Sequence, residues 1–242
     1  MIIMPAVIAR RRIPIAGGSY IAATHFTVPY FTLLNHTTPG SVSLAATYTL
    51  AGTGLGTAFS PDGKYIAVGH DIAPRFTLLN HTTPGSVSLA ATYTLAGTGQ
   101  STSFSPDGKY IAVAHLTTPF FTLLNHTTPG SVSLAATYVL AGGGYSADFS
   151  PDGNYIAVAH FVAPSFTLLN HTTPGSVSLA ATYTLPSTGY GVNFSPDGKY
   201  IAVAHETTPR FTLLNHTTPG SVSLAATYVL SGTARGVGFS PN

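Results

Sequence analysis

The strongest constraint on this chain is that it repeats itself. Phe-Ser-Pro recurs at Phe59, Phe104, Phe149, Phe194 and Phe239, in steps of 45 residues. The eighteen residues FTLLNHTTPGSVSLAATY appear five times without a substitution, beginning at Phe31, Phe76, Phe121, Phe166 and Phe211. Five steps account for 225 of the 242 residues and leave 17 over. A unit of this length is one supersecondary element stacked on its neighbours, and a period of ~40–45 residues fits a four-stranded blade or a set of helices.

The pattern inside the unit selects strands. Val87, Leu89, Ala91, Tyr93 and Leu95 alternate with Ser88, Ala90, Thr92 and Thr94, the period of two expected of a strand with one covered face. Tyr65–His70 and Phe76–Asn80 are short runs rich in β-formers. Ser60-Pro61-Asp62-Gly63-Lys64 supplies turn chemistry, a fixed φ and then a residue free to take positive φ, and Thr82–Gly85 marks a second turn. A helix would carry Pro and Gly through its interior at several points. Strands are expected near Leu55–Ser60 (A), Tyr65–His70 (B), Arg75–His81 (C) and Ser86–Leu95 (D). Five such units predict an all-β, five-bladed β-propeller of four-stranded antiparallel blades.

The segment FSPDGKYIAV resembles the strand A, turn and strand B signature of WD-repeat and related bacterial or phage propeller repeats. That resemblance spans five blades, from about Pro14 to the end, and implies a binding platform rather than an enzyme. It has departures. Leu79-Asn80 stands where Trp-Asp usually ends strand C, AGTG replaces the Gly-His before strand A, and the chain has no Trp. The family's His–Ser–Asp–Trp network therefore does not carry over.

Differences among the repeats fall almost wholly in two windows. One follows the strand B histidine, from Asp71, Leu116, Phe161 and Glu206; the other precedes strand A, as GTGLGTA, GTGQSTS, GGGYSAD, STGYGVN and GTARGVG. In an up-and-down blade the D–A and B–C connections emerge at one end and the A–B and C–D turns at the other. Both variable windows thus share a face, and loops on a rigid scaffold are where recognition is placed. The expected ligand-binding residues are Gln100, Tyr145, Tyr190 and Arg235 near the axis with Asn193, and Tyr30, Arg75, Phe120, Arg210 and Phe161 in an outer circle. Aromatic planes with arginines and amides suit a glycan or a surface protein, and repeated similar pockets would favour a multivalent ligand. Relaxed constraint on duplicated loops would also produce this map, yet the A–B and C–D turns have not drifted.

Charged residues are 7% of the chain and the formal net charge is +2, too little for nucleic acid to be the expected partner. With no cysteine, disulfide and thiolate chemistry are excluded. No apolar run approaches the ~18 residues of a membrane span, and MIIMPAVIARRR has the reverse order of a secretory signal. A neutral, hydroxyl-rich surface favours an extracellular or virion setting.

Two histidine series stand at opposite ends of strand C, about 20 Å apart at ~3.3 Å per residue, so one blade cannot use both on one ion. Packing between blades with a hydrogen bond to a loop is preferred to metal binding, and no cofactor is expected. The Asp of each Pro-Asp-Gly turn is a turn former. Asn-His-Thr matches a glycosylation sequon five times. The remaining acids, Asp71, Asp148 and Glu206, are scattered, whereas a glycosidase pair needs carboxyls within ~10 Å.

Both Arg10–Ile15 and Arg235–Ser240 align with strand A of the first blade. The C-terminal copy is expected to close the ring, leaving residues 1–13 as an extension and 14–242 as the propeller. These readings predict a non-enzymatic recognition propeller, lectin-like or adhesive, monomeric unless the extension makes an oligomer contact. The alternative is a structural or assembly scaffold, including an engineered or recently amplified repeat protein, with no dedicated ligand.

Overall fold

Every repeat yields strands where turn residues bracket β-formers. In the computed structural model, which describes residues 8–9 and 20–240, the first sheet holds β1 (Ile8–Ala9), β2 (Tyr20–Thr24), β3 (Tyr30–Asn35) and β4 (Ser43–Thr49). The second holds β5 (Gly54–Phe59), β6 (Tyr65–His70), β7 (Arg75–Asn80) and β8 (Ser88–Thr94); the third β9 (Gly99–Phe104), β10 (Tyr110–His115), β11 (Phe120–Asn125) and β12 (Ser133–Val139). The fourth holds β13 (Gly144–Phe149), β14 (Tyr155–His160), β15 (Ser165–Asn170) and β16 (Ser178–Thr184); the fifth β17 (Gly189–Phe194), β18 (Tyr200–His205), β19 (Arg210–Asn215) and β20 (Ser223–Val229). Strands follow chain order within each antiparallel sheet, and the five sheets are arranged like propeller blades. Among the described residues there is no helix, hence none long and apolar enough to cross a membrane.

The second strand of each inner sheet is apolar throughout because sheets cover both its faces. β6, β10 and β14 are buried along their whole length. The fourth strand alternates because one face meets water. Phe31, Phe76, Phe121 and Phe166 are fully buried and join cores that each link two adjacent sheets. Each such ring contributes about 1.5–3 kcal/mol of burial.

The first turn of the repeat works as its residues predict. Ser60 Oγ donates to Asp62 Oδ1 (2.7 Å), which also accepts from Lys64 N (3.1 Å), while Tyr65 N donates to Ser60 Oγ (2.9 Å). Gly63 takes φ +71°. Burial pushes the Asp62 carboxyl up, but the Ser60 hydroxyl, the Lys64 N–H and the Lys64 charge outweigh it and hold it below the ordinary value.

Closure by the C-terminal strand is not what the structure has. Ile8–Ala9 pairs with β2, Ile8 opposite Ala23 and Ala9 opposite Ala22, and residues 233–240 form no strand. The C-terminal segment stays with the fifth sheet instead: Ala234 N donates to His205 O (3.4 Å) and Phe239 N to Asn193 Oδ1 (3.2 Å). The rest of the 1–13 extension, and the Arg10–Ile15 segment, lie outside the described residues. Among the described residues no core cluster joins the fifth sheet to the first.

Candidate active site on the inner strands

The first strands of neighbouring sheets, β5, β9, β13 and β17, stand side by side. Each begins with a bulge. Gly144 pairs with His160 and Ser146 with Ala159, leaving Tyr145 outside the ladder. Tyr190 is left out in the same way between Gly189 and Gly191, Leu55 between Gly54 and Gly56, and Gln100 between Gly99 and Ser101. A bulge re-aims its extra side chain, which is why the variable residue is free to differ while its neighbours hold the sheet. Glycine is needed just before it, since a Cβ on Gly144 would lie 2.7 Å from Phe120 O in the preceding sheet.

Two bulge residues and the C-terminal segment converge. Tyr145 and Tyr190 meet edge to face with centroids 5.1 Å apart and planes at 61°. Arg235 lies over Tyr190, its Cζ 4.6 Å from the ring centroid, a contact that stabilises a partly desolvated cation by about 0.5–2 kcal/mol. Burial raises the Tyr145 hydroxyl above its ordinary range; Tyr190 and Glu206 push the same way and Arg235 opposes. Tyr145 therefore stays a protonated donor at neutral pH.

Below this cluster Asp148 ties three sheets together. Its Oδ1 accepts from Ser103 Oγ (3.2 Å), and its Oδ2 accepts from Asn193 Nδ2 (2.9 Å) and Phe194 N (2.9 Å). The expected site residue Asn193 thus has its amide engaged on both sides, donating to Asp148 and accepting from Phe239 N. Gln100 is buried and Leu55 half-buried on the same strands.

The outer circle is placed differently. Tyr30, Arg75, Phe120 and Arg210 each open the third strand of a separate sheet with φ of 71° or 72°. Tyr30 and Phe120 pack on inter-sheet cores. Arg75 Nη1 donates to Leu95 O (3.0 Å) and Arg210 Nη1 to Leu230 O (2.7 Å). Phe161 is exposed on the loop after β14. The structure gathers Tyr145, Tyr190 and Arg235, and sets the outer five apart from them.

Sequence reasoning left Asp148 and Glu206 as scattered acids. The available signal was the alignment of repeats: Ser103, Asp148 and Asn193 occupy one position of successive units, so a carboxylate there faces a donor on either side. The histidines serve packing. His70, His115, His160 and His205 pair Nε2 with the hydroxyls of Thr77, Thr122, Thr167 and Thr212 at 2.9–3.0 Å. His81, His126, His171 and His216 donate Nδ1–H to the carbonyls of Gly63, Gly108, Gly153 and Gly198.

No family model matches this chain, and no curated protein does. Solved structures do. A candidate 6-phosphogluconolactonase from Bacteroides uniformis aligns at TM-score 0.77 and 16% identity, over 90% of this chain and 71% of that one. The periplasmic gluconolactonase of Pseudomonas aeruginosa aligns at TM-score 0.76 and 15% identity, over 89% and 68%. A candidate 6-phosphogluconolactonase from Bacteroides fragilis aligns at 0.72 and 15%, over 87% and 67%. At such identities the likeness establishes the fold, repeated four-stranded blades, and not the WD-repeat motif. It also corrects the expectation of a non-enzymatic recognition or scaffold protein: these three neighbours are named as lactonases, so this architecture gives no ground for excluding catalysis. Neither a lectin nor a phage role draws support from them.

Proposed function

We propose that this chain is a lactonase-type hydrolase acting on a small anionic sugar lactone at the Tyr145–Tyr190–Arg235 cluster. The observation that carries the reading is the meeting of two phenols on the bulged ends of adjacent inner strands with a guanidinium from the C-terminal segment. The names of the fold's neighbours support the substrate class.

In this reading Arg235 holds the substrate's phosphate or carboxylate through its forked donors. The Tyr145 and Tyr190 hydroxyls donate to the lactone carbonyl oxygen, where negative charge develops. The Glu206 carboxylate takes a proton from the attacking water. Water oxygen bonds to the carbonyl carbon, the ring C–O bond breaks, and the released alkoxide takes up that proton to give the open hydroxy acid.

The test is lactone hydrolysis above the spontaneous rate, with 6-phosphogluconolactone and unphosphorylated gluconolactone compared. The phosphorylated lactone should be preferred. Arg235→Ala should raise KM about tenfold or more, consistent with loss of a charge-assisted contact, and Tyr145→Phe should lower kcat. Equal rates with and without protein on both lactones would sink the proposal.

A further inference from the structure

The two phenols of the cluster stand on different sheets. Tyr145 belongs to β13 and Tyr190 to β17, and among the described residues no backbone hydrogen bond joins those strands. Both hydroxyls can reach one oxygen only if something else fixes one strand against the other. Side chains of β13 do this. Ser146, the residue after Tyr145, accepts from Val192 N with its Oγ (3.3 Å). Further along the strand, Asp148 Oδ2 accepts from Asn193 Nδ2 and Phe194 N (2.9 Å each).

The same two positions differ on the other inner strands. β5 has Gly56 and Ala58, whose side chains bond to nothing; β9 has Ser101 and Ser103; β17 has Gly191 and Asn193. Among these four strands β13 alone combines a hydroxyl with a carboxylate, and it is the strand whose phenol meets a second phenol on its neighbour. Ser101 Oγ makes a longer copy of the Ser146 bond, accepting from Ala147 N at 3.5 Å. β5 and β17 form the same strand with glycine at this position, so the fold does not require a hydroxyl there.

We propose that Ser146 is a positioning residue, the hydroxyl that holds Tyr145 and Tyr190 on a single carbonyl oxygen. Its chemistry rests on the lactonase reading above; its geometry does not. Each bulge frees its tyrosine from the ladder of its own sheet, so the spacing of the two rings depends on the bond that crosses between the strands beside them. Without the Ser146 hydroxyl, the Asp148 bonds still tie the sheets together lower down, but the bulged ends are released. Misplacing a group at the reacting centre by about 1 Å costs on the order of a hundredfold in rate.

The test sets Ser146→Gly beside Ser101→Gly. Each variant removes one hydroxyl that accepts from the next inner strand, and each installs a residue the repeat already uses. Circular dichroism and a thermal melt verify that both fold. Ser146→Gly should lower kcat about tenfold on 6-phosphogluconolactone and gluconolactone alike, a partial misplacement, with KM and the preference for phosphate kept because Arg235 is untouched. Ser101→Gly should leave kcat unchanged. Equal losses in the two variants, or none in Ser146→Gly, would overturn the proposal, since a general structural role treats both junctions alike. Fluorine NMR of protein labelled with 3-fluorotyrosine reads the geometry without turnover, the two resonances being assigned with Tyr145→Phe and Tyr190→Phe. Both should shift in Ser146→Gly and stay in place in Ser101→Gly; resonances unmoved by Ser146→Gly would overturn the proposal equally. Wild-type protein that hydrolyses neither lactone sinks the lactonase reading instead, and the fluorine spectra then decide the placement of the phenols alone.

Discussion

Tyr110 and His171 meet across two sheets with ring centroids 4.9 Å apart and planes at 76°, while His171 Nδ1 donates to Gly153 O at 2.9 Å. The backbone bond fixes the tautomer and the ring, and the ring then supplies a surface for the tyrosine. A double-mutant cycle of His171→Ala and Tyr110→Leu should give a coupling of about 0.5–1.5 kcal/mol by chemical denaturation. His36→Ala, on the first sheet, should be much milder than His171→Ala, since no described tyrosine packs against His36.

Acid should destabilise the fold through the buried histidines. Burial lowers His115 and His160 from 6.5 to about 4, partly opposed by backbone bonds to Thr117 and Val162. The folded state thus binds fewer protons than the unfolded one, and stability rises with pH. The contribution is fully present above about pH 6.5 and is lost as pH falls toward 4. A melting-temperature profile should drop across that window, and His115→Gln should flatten it. A profile unchanged by the substitution would refute this assignment.

Removing the Asp148 carboxylate should loosen three sheets at once. Asp148→Ala leaves Ser103, Asn193 and Phe194 N without their acceptor. Loss of about 1.5–3 kcal/mol is expected from urea titration. Asp148→Asn should recover little, because its amide would place a donor against donors.

Ser165 takes φ +64°, the left-handed region, at the position where other repeats carry Tyr, Arg or Phe. A residue with a Cβ is held there at a cost of about 1–2 kcal/mol, of which glycine's extra freedom when unfolded offsets part. Ser165→Gly should therefore stabilise the protein by about 0.5–1 kcal/mol, read as a rise in melting temperature.

Much of the scaffold was legible in the residues. Tyr65–His70 matches β6 to the residue, and the Ser60-Pro61-Asp62-Gly63 turn forms the bonds its side chains imply, because turn chemistry and period-two patterning act locally. Of the candidate site residues, Tyr145, Tyr190 and Arg235 are in contact with one another, whereas Arg75 and Arg210 are spent on carbonyls of their own sheets. Nothing in one repeat reveals where an arginine five bonds long will find its acceptor.

By itself the sequence determined four strands per repeat, their order, and the end at which variation gathers, since these follow from alternation, turns and antiparallel geometry. Only the tertiary structure decided which segments occupy the inner edge of the first sheet. Arg10–Ile15 and Arg235–Ser240 both resembled an inner strand; Ile8–Ala9 pairs with β2, and the C-terminal segment remains beside β17. The choice rests on contacts beyond the local pattern: Phe239 N on Asn193, 46 residues away, beside the fifth sheet, and the two-residue ladder of Ile8–Ala9 on β2 in the first. Local pattern carries no information about that competition.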